Sequence, residues 1–504
     1  MMEMQEILEY VIQNTKQFLD QTPKSKRKKI GQFFTSKETA IFMASLFDID
    51  ELSDTVTILD PGCGTGILAA ALVQRIAMGK AVKSIKLVCY ENNPDVMQVL
   101  KDNMKYISNL ISLNFEYEIR EEDYLISQSN DFEENIVANE YPSKYDIVIG
   151  NPPYLRVLRN HEAAMAMPKV VHGAPNLYFL FAAMSLFNLK YNGEMVYIIP
   201  RSWTSGAYFK AFREYFLSVG KIEHIHLFVS RDKVFSEEQV LQETIIIKIR
   251  KTPDKPEQVK LTSTQTNVDF DEITELIVPY DSVVTGTDLY VFLPTSDEDI
   301  KVIESINRYE KTMLDIGIKM KTGIVVDFRQ RDDLRETPGE NIVPLFYGQH
   351  IKGGRVNHET SGKDCDWITD EKKGLIQKNK DYIFCKRFTA KEEKRRLQCG
   401  LYFASDFPEY DNIGTQNKIN FIERLNGDAL EKEVLYGIYA LFNSTLFDRF
   451  YRILNGSTQV NSTEINSIPL PPLNTIKAIG KKLIESDQYS TEICDAILYE
   501  IAYA

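Results

Sequence analysis

The chain has 504 residues, about twice the size at which a single hydrophobic core stops growing, so two domains are expected. It is 43% hydrophobic and 26% charged, which excludes the disordered and collagen-like classes. A formal charge of −13 excludes a chain coated in basic charge but leaves room for a local basic groove. Six cysteines with no C-x-x-C pair exclude a disulfide scaffold or a zinc-finger array, suit a reducing cytosol, and give no reason to expect a metal.

The N-terminal MMEMQEILEYVIQNT is acidic and lacks an unbroken apolar stretch, so it does not read as a signal peptide. The most apolar run, 178–187, has roughly half the length a membrane span requires, and a soluble intracellular protein with no membrane partner is expected. From residue 54 to 250, apolar β-branched runs alternate with helical patterns. TVTIL (55–59), IKLVCY (85–90), YDIVIG (145–150) and EMVYII (194–199) read as buried strands, with FEYEI (115–119) as a further one. Residues 67–79, 94–106, 176–189 and 205–219 read as helices. This alternation predicts a doubly wound, Rossmann-like α/β sheet whose ligands bind at the carboxyl ends of the strands. KIEHIHLF (221–228) and ETIIIKIRK (243–251) follow without a long helix and suit an antiparallel hairpin. KTPDKPEQ (251–258), with two prolines, is the expected linker between a catalytic domain, 1–250, and an α+β domain of similar size, 259–504.

Four motifs fall at predicted strand ends. In ILDPGCGTGILAAAL (58–72), Asp60 ends a strand, Gly62, Gly64 and Gly66 make the turn, and a helix begins. Glycine lets the backbone pass close to a nucleoside. An acid at that strand end favours a cationic or hydroxyl-rich ligand over a pyrophosphate, and Asp-Pro ahead of the glycines points to an S-adenosylmethionine loop. In YENNP (90–94), Glu91 closes the next strand, where an acid takes both hydroxyls of a ribose. In REEDYL (120–125), Asp123 suits an adenine amino group and Tyr124 its ring, with Glu121 and Glu122 as competing acids. In DIVIGNPPY (146–154), an apolar strand delivers Asn151, Pro152, Pro153 and Tyr154 to the same edge. The Asn151 side-chain oxygen and the Pro152 carbonyl are two acceptors for one amino group on a planar π-system. Accepting both hydrogens frees the nitrogen lone pair to attack a methyl in line. Tyr154 suits stacking on the planar substrate.

The order IGQFFTSKETA (30–40), DPGCGTG, YENN, EDY, NPPY and then a large second domain resembles the gamma class of DNA N6-adenine methyltransferases, the TaqI type, over the whole chain. The resemblance implies that Thr35 and Asp60, Pro61 and Gly62 hold the amino-acid part of S-adenosylmethionine, Glu91 and Asn92 its ribose, and Asp123 and Tyr124 its adenine. It implies that Asn151 and Pro152 bind the target amino group while Tyr154 and Phe235, within KVFSEEQVLQETIIIKI (233–249), stack on the flipped base. Two departures leave the loop shape and one packing contact open: Ser36 stands where the family usually has proline, and Ile67 where it has phenylalanine. Residues 435–473 are similar to the closing segment of target-recognition domains in restriction–modification methylases. CKRFTAKEEKRR (385–396) is similar to methylases of the PstI and BsuBI kind, which implies a short palindromic target such as CTGCAG.

Two basic clusters, KSKRKK (24–29) and CKRFTAKEEKRR, stand against the acidic background. Lys26, Arg27, Lys28, Lys29, Lys386, Arg387, Lys394, Arg395 and Arg396 are therefore expected at DNA phosphates. KTGIVVDFRQR (321–331) and residues 455–461 carry the Arg, Gln and Asn types that read base edges. His224 and His226 alternate along a strand with no further ligand near them and read as satisfied surface histidines. No Pro-Cys dipeptide occurs, so the nucleophile of cytosine C5 methylation is missing. The expectation is a stand-alone, monomeric enzyme that methylates adenine N6 in double-stranded DNA from S-adenosylmethionine. It would act in the bacterial cytoplasm with the nucleoid and protect DNA from a separately encoded restriction endonuclease. A protein-glutamine or RNA-adenine methyltransferase, or a silent DNA-binding subunit, are the alternatives.

Overall fold

The computed structural model describes residues 2–23, 34–79, 81–138, 144–229, 243–390 and 392–502. The chain divides into two compact units, Met1–Thr295 and Ser296–Ala504. Among the described residues no helix is long and apolar enough to cross a membrane.

The first unit is built on a nine-stranded sheet in the order β3-β2-β1-β4-β5-β7-β6-β8-β9. The strands are β1 Thr55–Pro61, β2 Ser84–Tyr90, β3 Asn114–Arg120, β4 Tyr145–Gly150, β5 Leu189–Pro200, β6 Lys221–Phe228, β7 Thr244–Arg250, β8 Gln258–Thr264 and β9 Thr274–Pro279. Strands β1 to β5 run parallel to one another, while β7 enters antiparallel between β5 and β6. The predicted hairpin partners do pair antiparallel, but β7 also pairs with β5.

Alternation of side chains across a sheet covered on both faces explains why the strands read as unbroken apolar runs. Ile58, Leu87, Ile147 and Val196 join one core with helices α1 (Met2–Gln21), α2 (Lys37–Ser45), α3 (Ile67–Met78) and α4 (Pro94–Leu110). The intervening Leu59, Val88, Val148 and Tyr197 are equally buried. Helix starts follow local chemistry. Asn93 caps α4 by accepting from the Asp95 amide, with Pro94 at the first helical position. Short α5 (Tyr124–Ser127) is capped by Asp123, and α6 (Ser129–Ala138) follows it. A one-turn α7 (Glu162–Met165) precedes the apolar α8 (Leu177–Asn188), and α9 (Lys210–Val219) begins five residues later than predicted because two 3-10 turns come first.

The expected linker lies inside this unit. Lys251 is buried and its ammonium donates to the carbonyls of Phe187 and Leu189, at 2.8 and 2.6 Å. The chain then continues into β8 and β9, so the boundary falls at 295/296 rather than at 251–258. His224 and His226 are also buried, not surface residues, because β8 lies beside them and its Thr262 and Thr264 hydroxyls pair with their rings at 2.7–3.1 Å. That burial lowers their pKa values to about 4 and about 3.

The second unit is α+β, as expected. A six-stranded sheet containing Ile318–Thr322, Ile419–Arg424, Tyr382–Lys386 and Cys399–Tyr402 and a five-stranded sheet around Ile342–Phe346 are accompanied, among the described residues, by five C-terminal helices from Lys432 to Ala502.

Candidate functional site

The ends of β1, β2 and β4 and the start of α8 surround a cleft of about 300 Å³. It opens where the chain leaves β1 through a turn only glycine adopts easily. Gly62, Gly64 and Gly66 have φ of +70°, +57° and +85°, in the left-handed region. A Cβ on Gly66 would lie 2.5 Å from the Met104 side chain. The turn is pinned from both sides. The Gly62 amide donates to the Tyr90 carbonyl at 2.8 Å, and the Gly64 amide donates to a Glu91 carboxylate oxygen at 2.9 Å. Behind it, Asn103 of α4 donates to the Thr65 carbonyl, and Thr15 of α1 meets the Thr65 hydroxyl at 2.7 Å. The N-terminal helix thus buttresses the glycine turn, a role no local motif announces.

Two of the acids lining this cleft, Asp60 and Glu91, differ in their partners. Asp60 is 1% exposed, and neither of its oxygens finds a hydrogen-bond partner. Burial pushes its pKa up to about 8, against the nearby Ala69 amide and aided by Glu91. Glu91 is also raised by burial, but the Asn93 and Gly64 amides oppose that by donating to it at 2.8 and 2.9 Å. Beyond the pull of that Ala69 amide, Asp60 is a buried acceptor with no hydrogen-bond partner at bonding geometry, which native structures rarely tolerate outside a ligand site.

Thr35, Asp60, Gly62, Gly64, Glu91 and Asn92 all line the cleft, as do Asp123, Tyr124, Asn151 and Pro153. Pro61 and Gly66, also expected there, are not among the lining residues. Asp123 accepts from the Leu125 and Ile126 amides at 2.9 and 3.0 Å while capping α5, and the Asn92 amide reaches it at 3.4 Å. Glu122, one of the two competing acids, lines the cleft too, whereas Glu121 pairs with Lys101. Asn151 follows the last residue of β4, and its amide nitrogen donates to the Thr35 hydroxyl at 3.1 Å. Its carbonyl oxygen, the end that an N–H donor needs, is thereby turned away from Thr35.

Pro152 and Tyr154 are buried and are not among the lining residues. The Tyr154 hydroxyl donates to the Ile198 carbonyl at 2.9 Å, and its ring meets Tyr178 edge-on at 6.3 Å. Phe235 and the cluster Lys26, Arg27, Lys28 and Lys29 lie outside the described residues. Cleft residues that were not foreseen include Phe34, Leu155, His161, Leu177 and Phe181. Phe34 sits inside the IGQFFTS segment beside Thr35, and motif proximity could have shown it.

In the second unit, the expected phosphate contacts divide. Lys394 is exposed, while Lys386 and Arg387 are half-buried. Arg396 is fully buried, donating to the Thr389 hydroxyl, the Asn455 side chain and the Ser457 carbonyl. Arg395 donates to the Phe442 and Ser444 carbonyls at 3.0 and 3.1 Å. Both are internal struts, because the carbonyl ends of neighbouring loops need donors, and neither presents its guanidinium to a phosphate. Asn455 and Asn461 are likewise spent inside, on Glu464.

A parallel sheet with order 3-2-1-4-5-7-6, an antiparallel β7 and a glycine turn below an unpartnered carboxylate defines a Rossmann-like methyltransferase that uses S-adenosylmethionine. Residues 73–235 match the Eco57I restriction-modification methylase family. Over 467 residues the chain is 34% identical to the type II methyltransferase M.BsuBI of Bacillus subtilis, covering 91% of each. It is 32% identical to the type II methyltransferase M.PstI of Providencia stuartii, covering 94% of this chain and 92% of that one. The Type IIL restriction-modification enzyme MmeI, solved in complex with DNA, shares the fold at a TM-score of 0.52 and 12% identity, over 93% of this chain and 72% of that one. The chain belongs to the type II methyltransferases of restriction–modification systems.

Proposed function

We propose that the chain is a gamma-class enzyme that methylates the N6 nitrogen of adenine in double-stranded DNA and protects it from a separately encoded endonuclease, working as a monomer in the cytoplasm. The observation that carries this reading is the placement of Asn151 in one cleft with the unpartnered Asp60. The cleft fits the cofactor. Asp60, with its two unsatisfied oxygens, suits the cationic amino-acid end, together with Thr35 and the backbone from Pro61 to Gly62. Glu91 and Asn92 suit the ribose hydroxyls, and Asp123 and Tyr124 the adenine. When bound, S-adenosylmethionine supplies a methyl group on a positively charged sulfur.

The chain supplies the rest. The Asn151 carbonyl oxygen and the Pro152 carbonyl accept the two hydrogens of the adenine amino group, drawing its nitrogen toward tetrahedral geometry so that its lone pair is no longer shared with the ring. An acceptor used mainly in the transition state lowers the barrier without tightening ground-state binding. The amino group of a paired adenine lies inside the duplex, so the nucleotide must swing out, with Tyr154 and Phe235 as its stacking surfaces. Lys26, Arg27, Lys28 and Lys29, with Lys386, Arg387 and Lys394, supply charge for the DNA.

DNA from cells making the protein is to be digested and its nucleosides identified by mass spectrometry. N6-methyladenine is expected with the wild type. Asn151→Ala should cut the purified enzyme's turnover by about 100-fold or more while cofactor affinity holds. Methylated cytosine alone, or an unmodified genome, overturns the proposal.

A further inference from the structure

Four segments of the second unit, 324–331, 415–418, 386–389 and 457–460, are stitched side by side by backbone bonds. Val325 donates to the Thr415 carbonyl and Asn417 to that of Val325, at 2.9 and 2.8 Å. Arg387 donates to the Lys418 carbonyl at 2.9 Å, and Val460 to that of Arg387 at 2.7 Å. A Cβ on Gly323 would lie 2.2 Å from the Gln416 carbonyl, so the first seam closes only over glycine. Four such segments at ordinary interstrand spacing span about 14 Å. That is close to the roughly 12 Å width of a DNA major groove.

This platform has a composition unlike the rest of an acidic chain. It carries five cations, Arg329, Arg331, Lys386, Arg387 and Lys418, against one acid, Asp327. Among the described residues none of the five is ion-paired. Two phenylalanines stand out of it, Phe328 at 65% and Phe388 at 43% exposure, each with an arginine over its ring, Arg329 and Arg387, at 5.5 and 5.6 Å. Surface aromatics beside unpaired arginines fit a ligand that offers both negative charge and flat apolar edges.

We infer that this platform reads base edges of the target duplex, with Arg387 as the principal specificity residue; the inference rests on DNA being the substrate. Arg387 is held ready for the task. Its guanidinium donates to the Asn417 carbonyl at 3.0 Å and to the Gln459 amide oxygen at 3.4 Å, leaving three of its five donors for a ligand. Gln459 sits opposite Phe388 across an antiparallel bridge. The loop beneath is fixed by the buried Arg396 and Asn455, so the reading side chains stand on a rigid base. A fixed arginine fork matches the two acceptors of guanine, and a ring edge matches the thymine methyl.

The test begins with the wild type, whose target is defined by mapping methylated positions in expressing cells. Rates are then measured on that duplex and on every single-base variant of it, for wild type, Arg387→Ala and Arg387→Lys, with cofactor affinity as the check on folding. Arg387→Ala should lose about 5- to 150-fold in kcat/KM on the target and discriminate poorly at one base pair only. Arg387→Lys keeps the charge but not the fork, so it should restore the salt dependence and not the discrimination. Full discrimination in Arg387→Ala, or its complete rescue by lysine, overturns the inference while leaving DNA methylation intact. A wild type that methylates no DNA overturns the proposed function, and this inference with it.

Discussion

Asp60 offers a sharp test of the cofactor site because its protonation and its ligand compete. Burial raises its pKa to about 8, so at pH 7 only about one chain in ten carries the carboxylate before binding. A cationic ligand end favours the carboxylate, and binding should therefore release nearly one proton at pH 7. The lost factor of about ten in affinity is about 1.4 kcal/mol, recovered as pH rises to 8 and above. The sign for the empty protein is opposite. Between about pH 4 and pH 8 the folded chain holds a proton that the unfolded chain has given up, so its stability falls as pH rises, by up to about 1.4 kcal/mol per pH unit. S-adenosylmethionine should flatten that decline.

The assay is calorimetric titration of S-adenosylmethionine at pH 7 in two buffers of different ionisation enthalpy, for wild type and for Asp60→Asn. The difference in apparent enthalpy gives the protons released, and the ligand's own amino group contributes equally to both proteins. Wild type should release about one proton more than the variant. Equal release in the two proteins would falsify the assignment of Asp60 as the group that meets the cofactor's cationic end.

Base flipping is to be followed with 2-aminopurine at the target position: the duplex should brighten when the enzyme binds, and the bound signal should change again in Tyr154→Ala and in Phe235→Ala as a stacking ring is lost. An unchanged duplex at saturating enzyme rules flipping out, and a silent Tyr154→Ala leaves that ring, anchored on the Ile198 carbonyl, a structural role only. Arg396→Met should lower stability by about 2–4 kcal/mol, seen as an earlier unfolding transition, because it removes the buried donor that ties the Thr389 hydroxyl, the Asn455 side chain and the Ser457 carbonyl together. An unchanged transition with weakened DNA binding would return Arg396 to the role of a phosphate contact.

The strand–helix alternation from β1 to β5 could be read from the chain because a sheet buried on both faces leaves runs such as TVTIL and YDIVIG that have few other folded uses. The cleft could be read as well, since its parts are local. The turn at Gly62, Gly64 and Gly66 needs positive φ, and Asp60, Glu91 and Asn151 each close a strand that feeds one edge. Long-range partners were not local and were not seen. Nothing near Thr15 or Asn103 announces that they brace Thr65, and nothing near Tyr154 announces that its hydroxyl is taken by Ile198.

The errors share a cause: composition gives the charge or flexibility of a segment but not which atoms are already taken. KTPDKPEQ has the prolines of a linker, yet Lys251 caps two carbonyls in the interior and the segment leads straight into β8. CKRFTAKEEKRR reads as one basic face, yet Arg395 and Arg396 turn inward to bind loop carbonyls, while Arg387 gives only part of its guanidinium to the Asn417 carbonyl and Lys394 stays exposed. A loop with unpaired carbonyls beneath it must recruit donors, and arginine, with five N–H groups on one plane, serves several at once. The two uses of arginine are linked in this unit. By consuming Arg396 and Asn455 to fix the 455–459 loop, the fold holds Gln459 where it accepts from Arg387, and it is the held residue, not the holder, that has donors left for a ligand.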